Sequence, residues 1–244
     1  MNITAEEKLM YEVMRAIYES GIPISFKGSM VLKAFLIEEG YTEDTRHTVD
    51  IDANWNSDIQ PSDKQMTESL QKTFNDHGLC LDVSIYRMYG EGRSAGFDIA
   101  DHNTGDQLFT MDIDVNRPAP ETKIYQIGDL HFCGVSPYQI LADKISVVST
   151  DTIFRRIKDL VDLYYASKVF PFDRNEIYFA LRKSDRRLGN FDGFLHREDD
   201  LRHAYEKFRF TGDINKPSFS EIYRSVNSYI RALLPREKEL INER

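Results

Sequence analysis

The spacing of apolar residues changes along the chain and predicts two differently built parts. In residues 1–134, helical spacing alternates with strict two-residue alternation, which predicts a mixture of helices and strands. The predicted helices cover residues 4–20, 30–39 and 62–77. The predicted strands cover residues 22–26, 46–55, 79–89, 94–101, 107–116, 123–127 and 130–135. The last four strands read as two hairpins, because short turns rich in glycine, asparagine and aspartate join them.

After residue 136 the strand-like alternation stops and capped helical patterns follow one another. The predicted helices cover residues 137–149, 152–168, 175–187, 195–209 and 218–233. We therefore predict an α+β fold, with an α/β domain over residues 1–134 and a helical domain over residues 135–244.

Charge changes at the same place as the apolar pattern. Residues 1–134 carry 11 basic and 23 acidic residues, a balance of −12, whereas residues 135–244 carry 20 and 17, a balance of +3. The total of −9 argues against a non-specific nucleic-acid binder. Any polyanionic partner is expected to meet the second half.

The first residues and the lengths of the apolar stretches indicate where in the cell the protein is expected. The first residues include two adjacent glutamates where a secretory signal needs a basic start, and no stretch approaches membrane-spanning length. We expect a cytoplasmic protein with no membrane partner.

Candidate chemistry begins in the predicted strand RHTVDIDANW. Alternation places Val49, Ile51, Ala53 and Trp55 on an apolar face and Thr48, Asp50, Asp52 and Asn54 on the opposite one. Two carboxylates whose oxygens converge to about 4 Å repel each other by roughly 4 kcal/mol at an effective dielectric of ~20. A divalent cation removes this penalty, and oxygen ligands suit Mg²⁺ or Mn²⁺.

A lone pair of this kind is more often a solvated strand face than a metal site, but the chain contains a second one. In FTMDIDVN the apolar residues Met111, Ile113 and Val115 alternate with Asp112 and Asp114. A sheet that brings the two strands together would collect up to four carboxylates, which indicates a metal site.

A third feature precedes the first acidic strand. Phe26-Lys27-Gly28-Ser29 ends a strand and opens a helix, so free backbone N–H groups, a hydroxyl and an unobstructed glycine meet at one point. Such a turn suits a phosphate group. Glycine and serine are also ordinary helix caps. The evidence that this turn binds phosphate therefore comes mainly from its position upstream of the two aspartates.

The order of these motifs resembles the AbiEii toxin group of the DNA polymerase β-like nucleotidyltransferases. The resemblance covers residues 22–166 and rests on KGS, an apolar helix, RxTxDID, an acidic strand, Lys144 in ILADKISVVS, and Arg156, Lys158, Asp159 and Asp162 in FRRIKDLVDLYY. It implies a polymerase β-like domain with a mixed or antiparallel sheet, followed by a helical domain that contributes to the active site.

The resemblance also implies roles for particular residues. Lys27, Gly28 and Ser29 would bind the triphosphate of an NTP, Asp50 and Asp52 would bind Mg²⁺ or Mn²⁺, and Asp114 would complete the site, with Asp112 as the alternative third acid. Lys144 and Asp159 would enter from the helical part, Lys144 also binding phosphate. From the residues alone, Arg155, Asp159 and Asp162 read as a solvated helix face with ordinary ion pairs.

The expected reaction is metal-dependent transfer of a nucleoside monophosphate from an NTP to a hydroxyl group. By resemblance, the acceptor is RNA, particularly the tRNA 3′ end, and a neighbouring antitoxin protein restrains the enzyme. Two other interpretations stay open. One is nucleotidylation of a small molecule such as an aminoglycoside, and the other is a non-catalytic nucleotide-binding or regulatory domain.

Overall fold

The computed structural model describes residues 2–90, 94–116, 121–210 and 215–234. The chain divides into two compact units, Met1–Ile140 and Leu141–Arg244. This division falls inside a helix, a few residues beyond the end of the last strand. The predicted boundary after residue 134 stays a prediction.

Among the described residues of the first unit, seven strands form one mixed sheet in the order β3-β4-β5-β2-β1-β7-β6. The strands are β1 (Ile24–Lys27), β2 (Asp50–Trp55), β3 (Leu81–Tyr89), β4 (Ser94–Asp101), β5 (Gln107–Asp114), β6 (Thr122–Ile127) and β7 (Leu130–Val135). The helices are α1 (Ala5–Glu19), α2 (Gly28–Glu38) and α3 (Asp63–Asp76). The mixed α+β fold confirms the predicted class.

Strand direction in the centre of the sheet decides where the acidic positions meet. Strand β2 runs parallel to β5 and antiparallel to β1, and β1 runs parallel to β7. The remaining neighbours, β3 with β4, β4 with β5 and β6 with β7, are antiparallel. The two hairpins predicted from the turn residues are therefore confirmed.

One face of the central strands forms the core of the first unit. Ile51 and Ala53 on β2 and Met111 and Ile113 on β5 are fully buried, as their alternation with acidic residues predicts. The expected position of Val49 is wrong, because this side chain is 59% exposed. Strand β2 begins only at Asp50, so the alternating pattern does not extend to residue 49.

Helices α1 and α2 are joined by a buried ion pair. Nζ of Lys33 lies 2.6 Å from Oε2 of Glu7, and both side chains are nearly inaccessible to solvent. Glu7 also belongs to the capping box of α1, since its Oε2 accepts a hydrogen bond from the backbone N–H of Thr4. The carboxylate of Glu7 therefore has two roles: it links α1 to α2 through Lys33, and it caps the start of α1.

The described part of the second unit is helical, as predicted. The helices are α4 (Pro137–Val148, which spans the division), α5 (Ile157–Ala166), α6 (Arg174–Lys183), α7 (Asp192–His196), α8 (Glu198–Lys207) and α9 (Phe219–Leu233). Two predicted helices are interrupted. Residues 152–168 divide into a 3-10 helix, Asp151–Arg155, and α5. Residues 195–209 fall on α7 and α8, which meet at Arg197.

Both interruptions lie at an arginine with the same backbone conformation. Arg156 has φ −122° and ψ 41°, and Arg197 has φ −127° and ψ 49°, neither of which continues an α-helix. Apolar periodicity does not reveal such breaks, because the buried stripe continues across them. None of the helices in the described ranges is long and apolar enough to cross a bilayer.

Candidate active site

The polar face of the central strands carries the acidic residues singled out in the sequence. Asp52 on β2 lies directly opposite Asp112 on β5, and Lys27 on β1 lies opposite Asp52 from the other side. Two residues along, Asn54 lies opposite Asp114. Paired positions in a sheet point to the same face, so strand pairing gathers these side chains on one surface. We call the face that carries Asp50, Asp52, Asp112 and Asp114 the acidic face.

The turn between β1 and α2 lies against the acidic face. Gly28 has φ +76°, a conformation that favours glycine, and a Cβ added there would lie 2.6 Å from Oδ2 of Asp52. The absence of a side chain therefore lets the start of α2 approach this carboxylate. The N-cap residue, Lys27, makes no side-chain capping hydrogen bond to the helix.

The segment before β2 adds two polar contacts that the sequence analysis did not assign. The guanidinium of Arg46 donates a hydrogen bond to Oγ of Ser29. The hydroxyl of Thr48 donates to Oδ1 of Asp50 at 2.8 Å. Both residues belong to the RxTxDID motif, so the motif itself was the available signal.

One end of the acidic face is a neutralised polar cluster. Nζ of Lys27 donates to Oδ1 of Asn54 and lies 3.9 Å from Oδ2 of Asp114. The other oxygen of Asp114 accepts from the hydroxyl of Ser94 at 3.1 Å and from the backbone N–H of Asn116 at 3.0 Å. Asp114 is thus held by a cation, a hydroxyl and an amide.

Asp112 is held by strand β3. The guanidinium of Arg87 donates to Oδ2 of Asp112, and the hydroxyl of Tyr86 donates to Oδ1 at 3.2 Å. Strand β4 lies between β3 and β5, but its residue opposite Asp112 is Gly96. A Cβ on Gly96 would lie 2.6 Å from both Oδ1 of Asp112 and the Tyr86 ring, so the glycine keeps the space that these contacts need.

Tyr89 borders the same acids. Burial raises the pKa of its hydroxyl, and the negative charges of Asp112 and Asp114 raise this pKa further. The phenol therefore stays protonated at neutral pH and can only donate or accept hydrogen bonds. No pattern in the sequence indicated Tyr86, Arg87 or Tyr89, because their contacts depend on how β3 pairs with β4.

The donor set of the acidic face fits a hard divalent cation. It offers carboxylate oxygens on two neighbouring strands, the donor type that Mg²⁺ and Mn²⁺ prefer. As the side chains lie, no group of three His, Cys, Asp or Glu in the described ranges is arranged to hold a metal ion.

The predicted residues of the second unit form a buried network of ion pairs. Nζ of Lys144 lies 2.6 Å from Oδ2 of Asp162 and 3.4 Å from Oδ1 of Asp159. Arg156 donates from Nε to the second oxygen of Asp159 at 2.8 Å. The solvated face expected from the residues alone is wrong for Asp159 and Asp162, whose side chains are at most 5% exposed, whereas Arg155 is exposed as expected.

Comparison with known proteins decides the family. A family model described as the nucleotidyl transferase AbiEii toxin of type IV toxin–antitoxin systems matches residues 9–225. The chain belongs to the AbiEii family. No curated protein sequence matches it. The AbiEii assignment makes the protein a nucleotidyltransferase of a toxin family, as the sequence motifs predicted.

Two solved structures are similar to this AbiEii protein to different degrees. MenT4, a nucleotidyltransferase toxin from Mycobacterium tuberculosis, is 13% identical over 96% of this chain and 85% of that chain, with a TM-score of 0.58. An antigenic nucleotidyltransferase-like protein from Paracoccidioides brasiliensis is 14% identical over 86% of this chain and 96% of that chain, with a TM-score of 0.46. At this identity the MenT4 likeness shows the nucleotidyltransferase fold.

Proposed function

We propose that the protein transfers a nucleoside monophosphate from an NTP to the hydroxyl of an RNA acceptor, with a divalent cation bound at the acidic face. The observation that carries this proposal is the strand pairing that puts Asp52 opposite Asp112 on one face of the sheet, beside the Gly28–Ser29 turn. A bound Mg²⁺ or Mn²⁺ supplies Lewis-acid stabilisation of the charge on the reacting phosphate oxygens.

The triphosphate would bind at the start of α2. Backbone N–H groups at a helix N-terminus point at an anion and the helix dipole favours negative charge there. Ser29 and Arg46 already touch each other, so the hydroxyl and the guanidinium can bind neighbouring phosphate oxygens. Lys27 adds a further cation on the same side.

Asp50 and Asp52 would hold the cation, with a third acid from β5. Strand pairing favours Asp112 for this role, because it lies opposite Asp52, whereas Asp114 lies opposite Asn54. Asp114, the residue preferred from the sequence, is the alternative. Comparing Asp112→Asn with Asp114→Asn in Mn²⁺ titrations distinguishes them, because only loss of a ligand weakens binding strongly.

The reaction requires one bond to form and one to break. The acceptor oxygen attacks the α-phosphorus, the bond between the α-phosphorus and the bridging oxygen breaks, and pyrophosphate leaves. The β5 acid would orient the acceptor hydroxyl and take its proton. The backbone amides of α2 would balance charge on the leaving pyrophosphate.

Lys144 and Asp159 are proposed to act together in the second unit. Lys144 would offer a positive charge to phosphate, and Asp159 and Asp162 would hold its ammonium in place through the two ion pairs. Arg156 would in turn hold Asp159. The roles of both residues rest on the family pattern.

The acceptor and the partner follow from the family and the charge distribution. We infer RNA, with the tRNA 3′ end as the first candidate, because the second half carries the only net positive charge of the two halves. An antitoxin protein is proposed as the partner, since the family description places such toxins in type IV toxin–antitoxin systems.

The decisive experiment incubates the purified protein with each labelled NTP, Mg²⁺ or Mn²⁺, and total RNA. Label on RNA that disappears in Asp50→Asn and Asp52→Asn, with both variants folded, supports the proposal. Asp98→Asn is the matched control. Asp98 lies on β4 opposite Thr110, so this variant removes the same charge at a residue outside the proposed cation ligands. Metal-independent NTP binding without transfer to RNA contradicts it.

A further inference from the structure

Both oxygens of Asp112 are engaged by one strand. Oδ2 accepts from Arg87 and Oδ1 from Tyr86, so a cation that bound this carboxylate would lie close to the positive charge of the guanidinium, unless the bond from Arg87 were broken. The Arg87 side chain is 51% exposed and that of Asp112 is 22% exposed. A pair this open to solvent contributes only modestly to stability, so it can be exchanged.

The position of Arg87 is built by several neighbours. Its guanidinium lies 5.1 Å from the centre of the Tyr86 ring and 5.3 Å from that of Tyr89, between two aromatic rings. It reaches Asp112 across Gly96, whose missing side chain opens the path. A β-bulge between Ile85 and Arg87 lets Tyr86 and Arg87 reach the same carboxylate.

Charge explains what this arrangement can do. Asp52, Asp112 and Asp114 occupy neighbouring positions of two paired strands, where carboxylates repel one another. Arg87 is the charged partner of Asp112, as Lys27 is of Asp114. A divalent cation bound to these carboxylates would neutralise the same repulsion.

We propose that Arg87 is the exchangeable counter-ion of Asp112, and that a divalent cation and Arg87 compete for this carboxylate. This inference rests on the proposed cation site at the acidic face. Arg87 is therefore a positioning residue: it holds the Asp112 carboxylate when no cation is bound, and cation binding releases its guanidinium.

The test measures Mn²⁺ binding to the full-length protein without NTP, by calorimetry and by the loss of free Mn²⁺ signal in electron paramagnetic resonance. In Arg87→Gln the competitor is gone, so Mn²⁺ should bind about fivefold more tightly than in the wild type. Arg87→Lys keeps the charge and should stay close to the wild type. A merely structural role would weaken cation binding or leave it unchanged.

Two control variants separate charge from hydrogen bonding. Arg202→Gln removes an exposed arginine that pairs with Glu198 on α8, and it should leave Mn²⁺ affinity as it is in the wild type. Tyr86→Phe removes only the hydroxyl bond to Asp112 and should have a much smaller effect than Arg87→Gln. If Arg202→Gln bound Mn²⁺ as much more tightly as Arg87→Gln, the increase in affinity would come from the overall charge of the protein, and the proposal would be overturned.

The outcomes for the cation site and for Arg87 are distinguishable. If Asp50→Asn and Asp52→Asn retain full Mn²⁺ affinity, the cation site of the proposed function is wrong. If these variants lose binding while Arg87→Gln shows unchanged or weaker affinity, the site stands and the role of Arg87 is overturned. Should Arg87→Gln not fold, an affinity of Arg87→Lys far below that of the wild type overturns this role as well.

Discussion

Gly28, at the start of α2, lies so close to Asp52 on β2 that it has no room for a side chain. A side chain as small as a methyl group on Gly28 would lie 2.6 Å from the carboxylate of Asp52. The glycine thus joins the proposed phosphate-binding turn to the proposed cation site. Several variants test whether these neighbours form one working site.

Gly28→Ala should lower both transfer activity and stability, for two different reasons. The left-handed conformation of Gly28 costs a non-glycine residue about 1–2 kcal/mol, and the added methyl group also displaces Asp52. We expect nucleotidyl transfer to fall by about 100-fold or more, because small displacements of reacting groups have effects of this size. Steady-state transfer assays and urea denaturation measure the two effects.

Gly40→Ala is the matched control for this variant. Gly40 follows α2, has φ +77° and has no atom within 4 Å of an added Cβ. It should lose a similar free energy of unfolding and keep the transfer activity of the wild type. Equal activity of the two variants would show that contact between Gly28 and Asp52 is irrelevant to catalysis.

Arg46→Gln should weaken NTP binding more than it slows transfer. Its guanidinium contacts Ser29 at the start of α2, where the triphosphate is proposed to bind. Loss of one charge-assisted hydrogen bond of about 1.5–2 kcal/mol raises the KM for NTP by roughly tenfold or more. Ser29→Ala, which leaves the arginine in place, should raise KM less. A fall in kcat with unchanged KM would contradict the assignment.

The buried pair of Glu7 and Lys33 should dominate the stability of the first unit. Lys33→Met leaves the carboxylate of Glu7 buried without its cation, which should lower the free energy of unfolding by about 3–5 kcal/mol. The double variant Glu7→Gln/Lys33→Met removes both charges, while the new side-chain amide can still accept a hydrogen bond from the N–H of Thr4. Chemical denaturation should show recovery of most of the loss, and no recovery would mean that the pair is not the cause.

The same approach separates a structural from a functional role of Lys144. Lys144→Met leaves Asp162 buried and unpaired and should destabilise the protein by about 3–5 kcal/mol. Lys144→Met/Asp162→Leu should regain much of this stability. If Lys144 binds phosphate, transfer activity stays low in the stable double variant. Restored activity would instead mean that Lys144 only neutralises the aspartates.

Sequence patterns identified the parts of the candidate site in the first unit but not their connections. Alternation alone placed Asp112 and Asp114 on the face opposite Met111 and Ile113, because a strand fixes its own two faces. The choice between Asp112 and Asp114 depends on pairing between strands about 60 residues apart, which no local pattern contains. The same holds for Arg87, which meets Asp112 only because Gly96 lies between them.

The helical half shows the opposite limit. Periodicity predicted the helices of this half, but it suggested that Asp159 and Asp162 face water, whereas both are buried with Lys144. Periodicity reports the preference of each residue for water, and a carboxylate matched to a buried ammonium no longer follows that preference. The break at Arg156 was equally hidden, since apolar spacing continues through it.

The sequence by itself determined the fold class, the acidic positions of β2 and β5, the Gly28–Ser29 turn and the family motifs, because local spacing and residue chemistry encode these features. Only the tertiary structure decided that Asp112 faces Asp52, that Arg87 and Tyr86 hold Asp112, and that Lys144 pairs with Asp162. Each of these relationships joins residues that are distant in sequence, and their energies depend on distances that exist only after the chain has folded.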